Sequence, residues 1–557
     1  MPHRLVVPDV PDLRDSFAVT SLGASGTRWA IATPHTAATD AGAAAFERGG
    51  DAIDAALAAA TTLAVTYPHM CGVGGDLFAL VQEPDGRTTA IASSGRSPAE
   101  LDADAVRAEH DVMPGWGPIP ITVPGAVAGW EALHGRGARL PWADAFATAT
   151  ALAHDGAPLA RRVAESLARD DGTLAADAGL RDVFFPDGAP LTQGSLLRQP
   201  ALGSTLEVIA SSGAGALYHG DVGHRYVTGL RALGSAMTVE DLASHEAQLL
   251  PPLRGAFGDL HVSVVPPNSQ GVVLLQMLAL LERLELDPDP LGAGAGAIAQ
   301  VFRVANADRD RHLADADAMQ THVSTLLDDG HLAGLADEVR HHLDAGAANE
   351  VSRGSGAGGI GHREHDGDTI ALVAADAEGY AVSLVQSLFD GFGAGVLEPS
   401  TGIVGHDRGG CFVLDPDHPN ALAPAKRPAH TLLPLLVHDA GGLVAVAGTK
   451  GGHGQPQIDA QLLLHAFIGG RSPAEAVEAP RWLVGGMDPM PLDVAPWVRV
   501  EADVPMPAVE SLQQAGFTVD TVGERDEEVG QAHLLRLGQG GVRAGTDARA
   551  DGSAAAG

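Results

Sequence analysis

The sequence predicts an α+β fold in which stacked β-sheets are covered by helices on both outer faces. Three observations point there. Strand-like pairs occur in both halves of the chain, helical stretches lie between them, and 557 residues at 45% hydrophobic content suffice for one large unit or two fused ones. The first element is residues 36–65, "TAATDAGAAAFERGGDAIDAALAAATTLAV", where apolar residues recur at helical spacing and Gly49 with Gly50 splits the run into two helices. After the glycine turn in "CGVGGDLF", residues 77–82 and 88–93 read as two strands about a turn at Pro84 to Gly86. Helical stretches dominate residues 141–249. Next, "SVVPPNSQGVVLLQMLALLERLEL" gives a strand, a Pro-Pro break and a strongly apolar helix. A second hairpin runs through Ile370, Leu372 and Val373, turns at Asp376 to Gly379 and returns through Val382, Leu384 and Val385. Short strands near 432–437 and 443–447 precede a glycine turn and the helix "QPQIDAQLLLHAFIGG". The tail "GQGGVRAGTDARADGSAAAG" is poor in apolar residues and is expected to end as mobile chain.

Composition removes several function classes. Lys and Arg total 35 against 70 Asp and Glu, a net charge of −35, so no basic footprint exists for nucleic acid. Two cysteines, Cys71 and Cys411, allow at most one bridge and supply neither a disulfide framework nor a thiolate zinc site. The N-terminal "MPHRLVVPDVPDLRDSFAVTSLG" lacks the unbroken apolar core of a secretory signal, and no stretch of eighteen apolar residues follows, which predicts a cytoplasmic protein without a membrane span. Residues 305–322, "ANADRDRHLADADAMQTH", show no metal-ligand spacing and read as a solvated helix face; no metal or cofactor is expected. "CGVGGDLF" lacks the lysine and hydroxyl of a phosphate loop.

The chemical signal lies at residue 369. Thr369 heads a strand directly after "VSRGSGAGGIGHREHDGD", a polar, glycine-rich run that buries nothing and can be cut. A threonine acts as a nucleophile when its own α-amine serves as base, and that amine exists only once the preceding peptide bond is broken. Cleavage between Asp368 and Thr369 divides the chain into 368 and 189 residues. Ser387 on the returning strand can orient the threonine through a hydrogen bond. "AGTKGGHGQPQ" offers consecutive N–H groups at Gly451 and Gly452 for an oxyanion, and Arg96 in "SSGRSP" can clamp a carboxylate. Each feature also has an ordinary reading: Thr favours strands, Gly supplies turns, and Arg belongs on surfaces.

Taken together, these segments resemble the gamma-glutamyltransferase (gamma-glutamyltranspeptidase, glutathione hydrolase) family. The likeness covers nearly the whole chain, from "ATPHTAATDAGAAAFERGG" through "ITVPGAVAGWEAL", "VPPNSQGVVLLQML", "GDTIALVAADAEG" and "APAKRPAHTLLP" to "GTKGGHGQPQ". It implies a four-layer αββα N-terminal nucleophile (Ntn) hydrolase sandwich, self-cleavage before Thr369, and Thr369 as nucleophile. Ser387 would support it, Gly451 and Gly452 would bind the oxyanion, and Arg96 would hold a substrate carboxylate. The expected products are a large subunit, 1–368, and a small subunit, 369–557, held together as a heterodimer within one Ntn unit.

Three departures lie where the family grips a glutamyl head group. The aspartate that binds the substrate amine near Gly410 in the well-known transpeptidases is absent from "GHDRGGCF", leaving Asp407 as the nearby carboxylate. The serine pair after "KRP" is replaced by His430 and Thr431, and an asparagine position beyond Ser387 is Phe389. The short connection "VLDPDHPNALAPA" implies a more open site than in lid-bearing relatives. The pattern is similar to the divergent branch that includes acylases and amidohydrolases. The expected activity is hydrolysis, with possible transfer, of γ-glutamyl or related small-acid amides bearing a carboxylate. The alternative is an uncut, catalytically inert binding or scaffold homologue.

Overall fold

The computed structural model describes residues 22–348, 368–490 and 494–557. Residues 1–21 and the glycine-rich run at 349–367, on which the leader and cuttable-loop readings fall, lie outside the described residues. Two seven-stranded sheets lie face to face. The first runs in spatial order Ser553–Ala556, Trp29–Thr33, Asp368–Asp376, Ala381–Phe389, Asp76–Gln82, Thr88–Ser93, Gln248–Leu250. The second runs Gly23–Gly26, Gly541–Thr546, Gln531–Gly538, Gly442–Lys450, Leu435–Asp439, Leu260–Val264, Leu253–Phe257. Every pairing within them is antiparallel.

The period-two alternation of one strand sets the layers. Ile370, Leu372 and Ala374 join a core shared with the helices Thr36–Glu47, Ala52–Thr66 and Ala126–His134. Ala371, Val373 and Ala375 point the other way, into a core between the sheets with Phe78, Leu80, Leu436, Val446 and Leu535. On the far side of the second sheet, Val262, Leu435, Ala445 and Leu534 pack against the helices Gly271–Arg283, Ala295–His312 and Gln455–Leu463. The result is a helix–sheet–sheet–helix stack. Close packing of the sheets depends on small residues: Ser383 Oγ donates to the Ala447 carbonyl at 2.6 Å, and a Cβ on Gly448 would lie 3.2 Å from that of Ala371. Strands on both sides of residue 368 enter both sheets, so the two expected pieces interleave.

Two readings need correction. The tail is not mobile chain: Gly541–Thr546 and Ser553–Ala556 are strands, one in each sheet, and the Gly557 carbonyl accepts from Thr27 and Arg28 N–H. Ladder hydrogen bonds hold it where apolar mass is small. Nor is the stretch around Asp308 a solvated face: Asp308 accepts from Gln276 and contacts His331 at 2.8 Å, while Arg309 donates to the His453 carbonyl and to Gln270, all from other elements. No group of metal-ligating side chains occurs among the described residues, and no helix among them is long and apolar enough to cross a membrane. Both cysteines are free.

Candidate active site

The strand Asp368–Asp376 begins with a register shift. Asp368 pairs with Phe389 and Ile370 with Gln386, so Thr369 stands at a bulge at the end of the ladder, a device that re-aims a side chain. Its hydroxyl donates to Ser387 Oγ at 3.0 Å, and Ser387 Oγ donates to the Asp368 carbonyl at 2.7 Å. Phe389 N–H anchors the same serine oxygen at 2.8 Å. One serine hydroxyl therefore touches both the hydroxyl of residue 369 and the carbonyl of the peptide bond before it. A hydrogen bond to a carbonyl polarises it, and the contact from Thr369 holds its hydroxyl beside that bond. In the continuous chain Thr369 is 1% exposed, so the openness expected from the short 413–425 connection does not extend to it.

The glycine turn is brought to the same bond by an ion pair. Lys450, the last residue of its strand, holds Asp368 Oδ1 at 2.8 Å, both side chains being buried, and Glu527 lies 3.8 Å from the same ammonium. Burial opposes ionisation of Glu527, but Lys450, Arg162 and Arg169 outweigh it and hold the carboxyl at about 2. Beyond Lys450 the chain turns through Gly451 (φ 155°) and Gly452 (φ 52°), left-handed geometry that favours glycine, and a helix follows at Gln455. Gln270 Nε2 ties the Gly452 carbonyl to the Thr431 carbonyl, at 2.9 and 2.7 Å.

Arg408, which sequence reasoning missed, completes the cluster. It is fully buried, donates to Thr431 Oγ1 at 2.9 Å and Ser387 Oγ at 3.3 Å, and lies 4.3 Å from the centre of the Phe389 ring. Phe389 adopts φ 83°, costly for a bulky side chain and easier for the asparagine that the family resemblance places there. Asp407 is fully buried; its Oδ1 accepts from Asp390 N–H at 3.0 Å and its own N–H donates to Leu388. His430 bonds Asp76 and not Thr369. Its Nδ1 accepts from Leu432 N–H, so Nε2 carries the proton toward Asp76 Oδ2 at 3.0 Å, and its ring packs edge-on against Phe78. Burial, together with Arg408 and His406, pushes His430 far below the usual imidazole range.

Arg96 is held apart from this cluster. Its guanidinium donates to Asp315 at 3.2 Å, Asp317 at 3.4 Å and the Ala425 carbonyl at 2.8 Å, and its side chain is 38% exposed. Its backbone neighbourhood connects inward, through Gly95 N–H to Asp76, the residue paired with Ser387 across the sheet. A surface cavity of about 780 Å³, lined by Glu100, Arg107, Gln320, His418 and Lys426, opens near Arg96's partner Ala425 and does not include Thr369.

Comparison with known proteins agrees over the full length. The family model described as Gamma-glutamyltranspeptidase matches residues 38–557. The oxamate amidohydrolase proenzyme of Klebsiella pneumoniae is 34% identical over 94% of this chain and 97% of its own. The glutathione hydrolase-like YwrD proenzyme of Bacillus subtilis is 32% identical over 95% of this chain and 98% of its own. Among solved structures, cephalosporin acylase from Bacillus halodurans superposes with a TM-score of 0.84 at 28% identity, covering 99% of both chains.

Proposed function

The chain belongs to the gamma-glutamyltranspeptidase family and has its Ntn-hydrolase fold, and from that premise we propose that it is a self-processing amide hydrolase with Thr369 as nucleophile. In processing, Thr369 Oγ1 bonds to the Asp368 carbonyl carbon, the C–N bond breaks, and the proton passes to the new α-amine. Water then opens the ester, leaving a carboxylate on residue 368 and a free Thr369, with fragments 1–368 and 369–557 retained as a heterodimer. In turnover the α-amine takes the hydroxyl proton, Thr369 acylates, the substrate's amine departs with a proton, and water releases the acid. Ser387 orients Thr369, and the Gly451 and Gly452 N–H groups stabilise the oxyanion.

The observation that carries this reading is the single Ser387 hydroxyl joining Thr369 Oγ1 to the Asp368 carbonyl. The substrate class is amides of small acids. The relatives' names point to amide hydrolysis with different acyl groups, and the ammonium partner of glutamyl enzymes has no counterpart at Gly409 and Gly410. Thr369→Ala is expected to remain one chain of 56.8 kDa and to release no amine, whereas the wild type yields two fragments on a denaturing gel and by intact mass. A wild-type chain that stays whole and inactive after prolonged incubation would establish the scaffold alternative.

A further inference from the structure

We propose that Arg408 is the receptor for a carboxylate on the acyl half of the substrate, and that this acyl half is a short diacid, its carboxylate within about two carbons of the scissile carbonyl. The inference rests on Thr369 being the nucleophile and specifies what that site accepts.

A buried guanidinium without an anion is costly, and the cluster around Arg549 avoids that cost. Arg549 is bonded to Glu501 and Asp547, and Arg481 to Asp547, all four buried. Arg408 is equally buried, yet its partners are all neutral: the Thr431 and Ser387 hydroxyls, Cys411 Sγ at 3.7 Å and the Phe389 ring. Its Nε has no partner among the described residues. The neighbouring imidazoles do not compete as cations, because burial drives His406 to about 3 and His430 lower than usual, with Arg408 adding to both shifts. Arg408 thus hydrogen-bonds no carboxylate among the described residues, the buried Asp76 acting on it only through space, and an Arg fork is suited to a planar carboxylate.

Position limits the length of the acyl group. Arg408 Nη2 and Thr369 Oγ1 hydrogen-bond the same Ser387 oxygen. An acyl carbon on Thr369 is therefore within a few bond lengths of the guanidinium, and bonds near 1.5 Å leave room for few intervening carbons. Oxalic, malonic and succinic monoamides fit that span. A glutamyl group carries an ammonium beside its carboxylate and places both farther off, and the exposed alternative, Arg96, is occupied by Asp315 and Asp317.

The test measures p-nitroaniline release from the mono-p-nitroanilides of oxalic, malonic and succinic acids, from their methyl esters, and from γ-glutamyl-p-nitroanilide. The processed wild type is expected to prefer free acids over esters by 100-fold or more in kcat/KM. Arg408→Met is expected to reduce that preference to within threefold, mainly through KM, and Arg408→Lys to keep part of it. If Arg408 only braces Ser387, acids and esters fall together and the ratio stands, which overturns the proposal. Because Arg408→Met can also stall processing, a second arm uses wild type alone. Oxalate, malonate or succinate should inhibit competitively at concentrations at least tenfold below acetate; equal potency overturns the proposal. Failure of the wild type to cleave or to turn over any anilide would remove the nucleophile reading and this proposal with it, whereas an active enzyme indifferent to the acid overturns this proposal alone.

Discussion

Two buried charge clusters in this chain are built on opposite plans. Around Arg549 the charges are closed: two arginines and two carboxylates satisfy one another, with the remaining donors on the carbonyls of Val477, Ala479 and Gly530. Around Thr369 the charges are distributed over a bond expected to break. Lys450 holds Asp368 on one side of it, Glu527 stands behind Lys450, and Arg408 hydrogen-bonds only neutral groups among the described residues. On the proposed cleavage, Glu527 stays on the same fragment as Lys450 and 3.8 Å from it, so processing is not expected to strand that cation. On the proposed function the closed cluster serves folding and the divided one chemistry, which makes their responses to substitution separable.

The largest expected effect is on the closed cluster. Arg549→Met leaves Glu501 and half of Asp547 buried without their cation, and removing one partner of a buried pair typically costs about 3–5 kcal/mol. Denaturant unfolding should show a loss of that size, with whatever protein folds still processing at residue 369. A loss below about 1 kcal/mol would break the distinction between the two clusters.

The difference between the clusters also explains what sequence can show. Alternation at Ile370, Leu372 and Ala374 is local, so the central hairpin and the layer order are readable from one window. The Thr369–Ser387 contact is similarly local, since both residues sit on one hairpin. The tail misleads because Gly541–Thr546 and Ser553–Ala556 contribute ladder hydrogen bonds and small side chains, not the apolar mass by which mobile ends are usually distinguished. Asp308 and Arg309 look solvated because their partners, Gln276, His331, Gln270 and His453, come from other segments. Arg408 and Lys450 leave a fainter signal: a lone cation among Gly, Cys and Phe, and another inside a glycine turn, each at odds with its surroundings.

A smaller effect is expected at the divided cluster, and on rate more than on stability. Hydrogen bonds to charged groups are worth about 1.5–3 kcal/mol, and about 1.4 kcal/mol corresponds to tenfold in rate. Asp368→Asn keeps the shape of the side chain and leaves Lys450 its Glu527 neighbour. It is expected to slow self-cleavage roughly tenfold, followed by gel densitometry of freshly folded precursor, while turnover by material that has finished processing matches wild type because residue 368 takes no part in it. Cleavage at the wild-type rate would reduce the Lys450–Asp368 pair to a structural contact like those around Arg549.

The smallest effect is in acid and concerns the carboxylate that remains. Glu527 sits at about 2 in the folded chain, below the usual value near 4.5, because Lys450, Arg162 and Arg169 overcome its burial. Between those two values the unfolded chain binds a proton that the folded chain does not, so stability rises with pH across the window. The contribution is fully present above about 4.5 and is lost as pH falls toward 2. Glu527→Gln should flatten that part of the profile by on the order of 1 kcal/mol, less than the full shift implies because salt and solvent screen a group at the edge of the core. Urea midpoints at pH 6 and pH 3 suffice to measure it. Equal sensitivity to acid in wild type and variant would show that the pairing of Glu527 with Lys450, Arg162 and Arg169 adds nothing to stability.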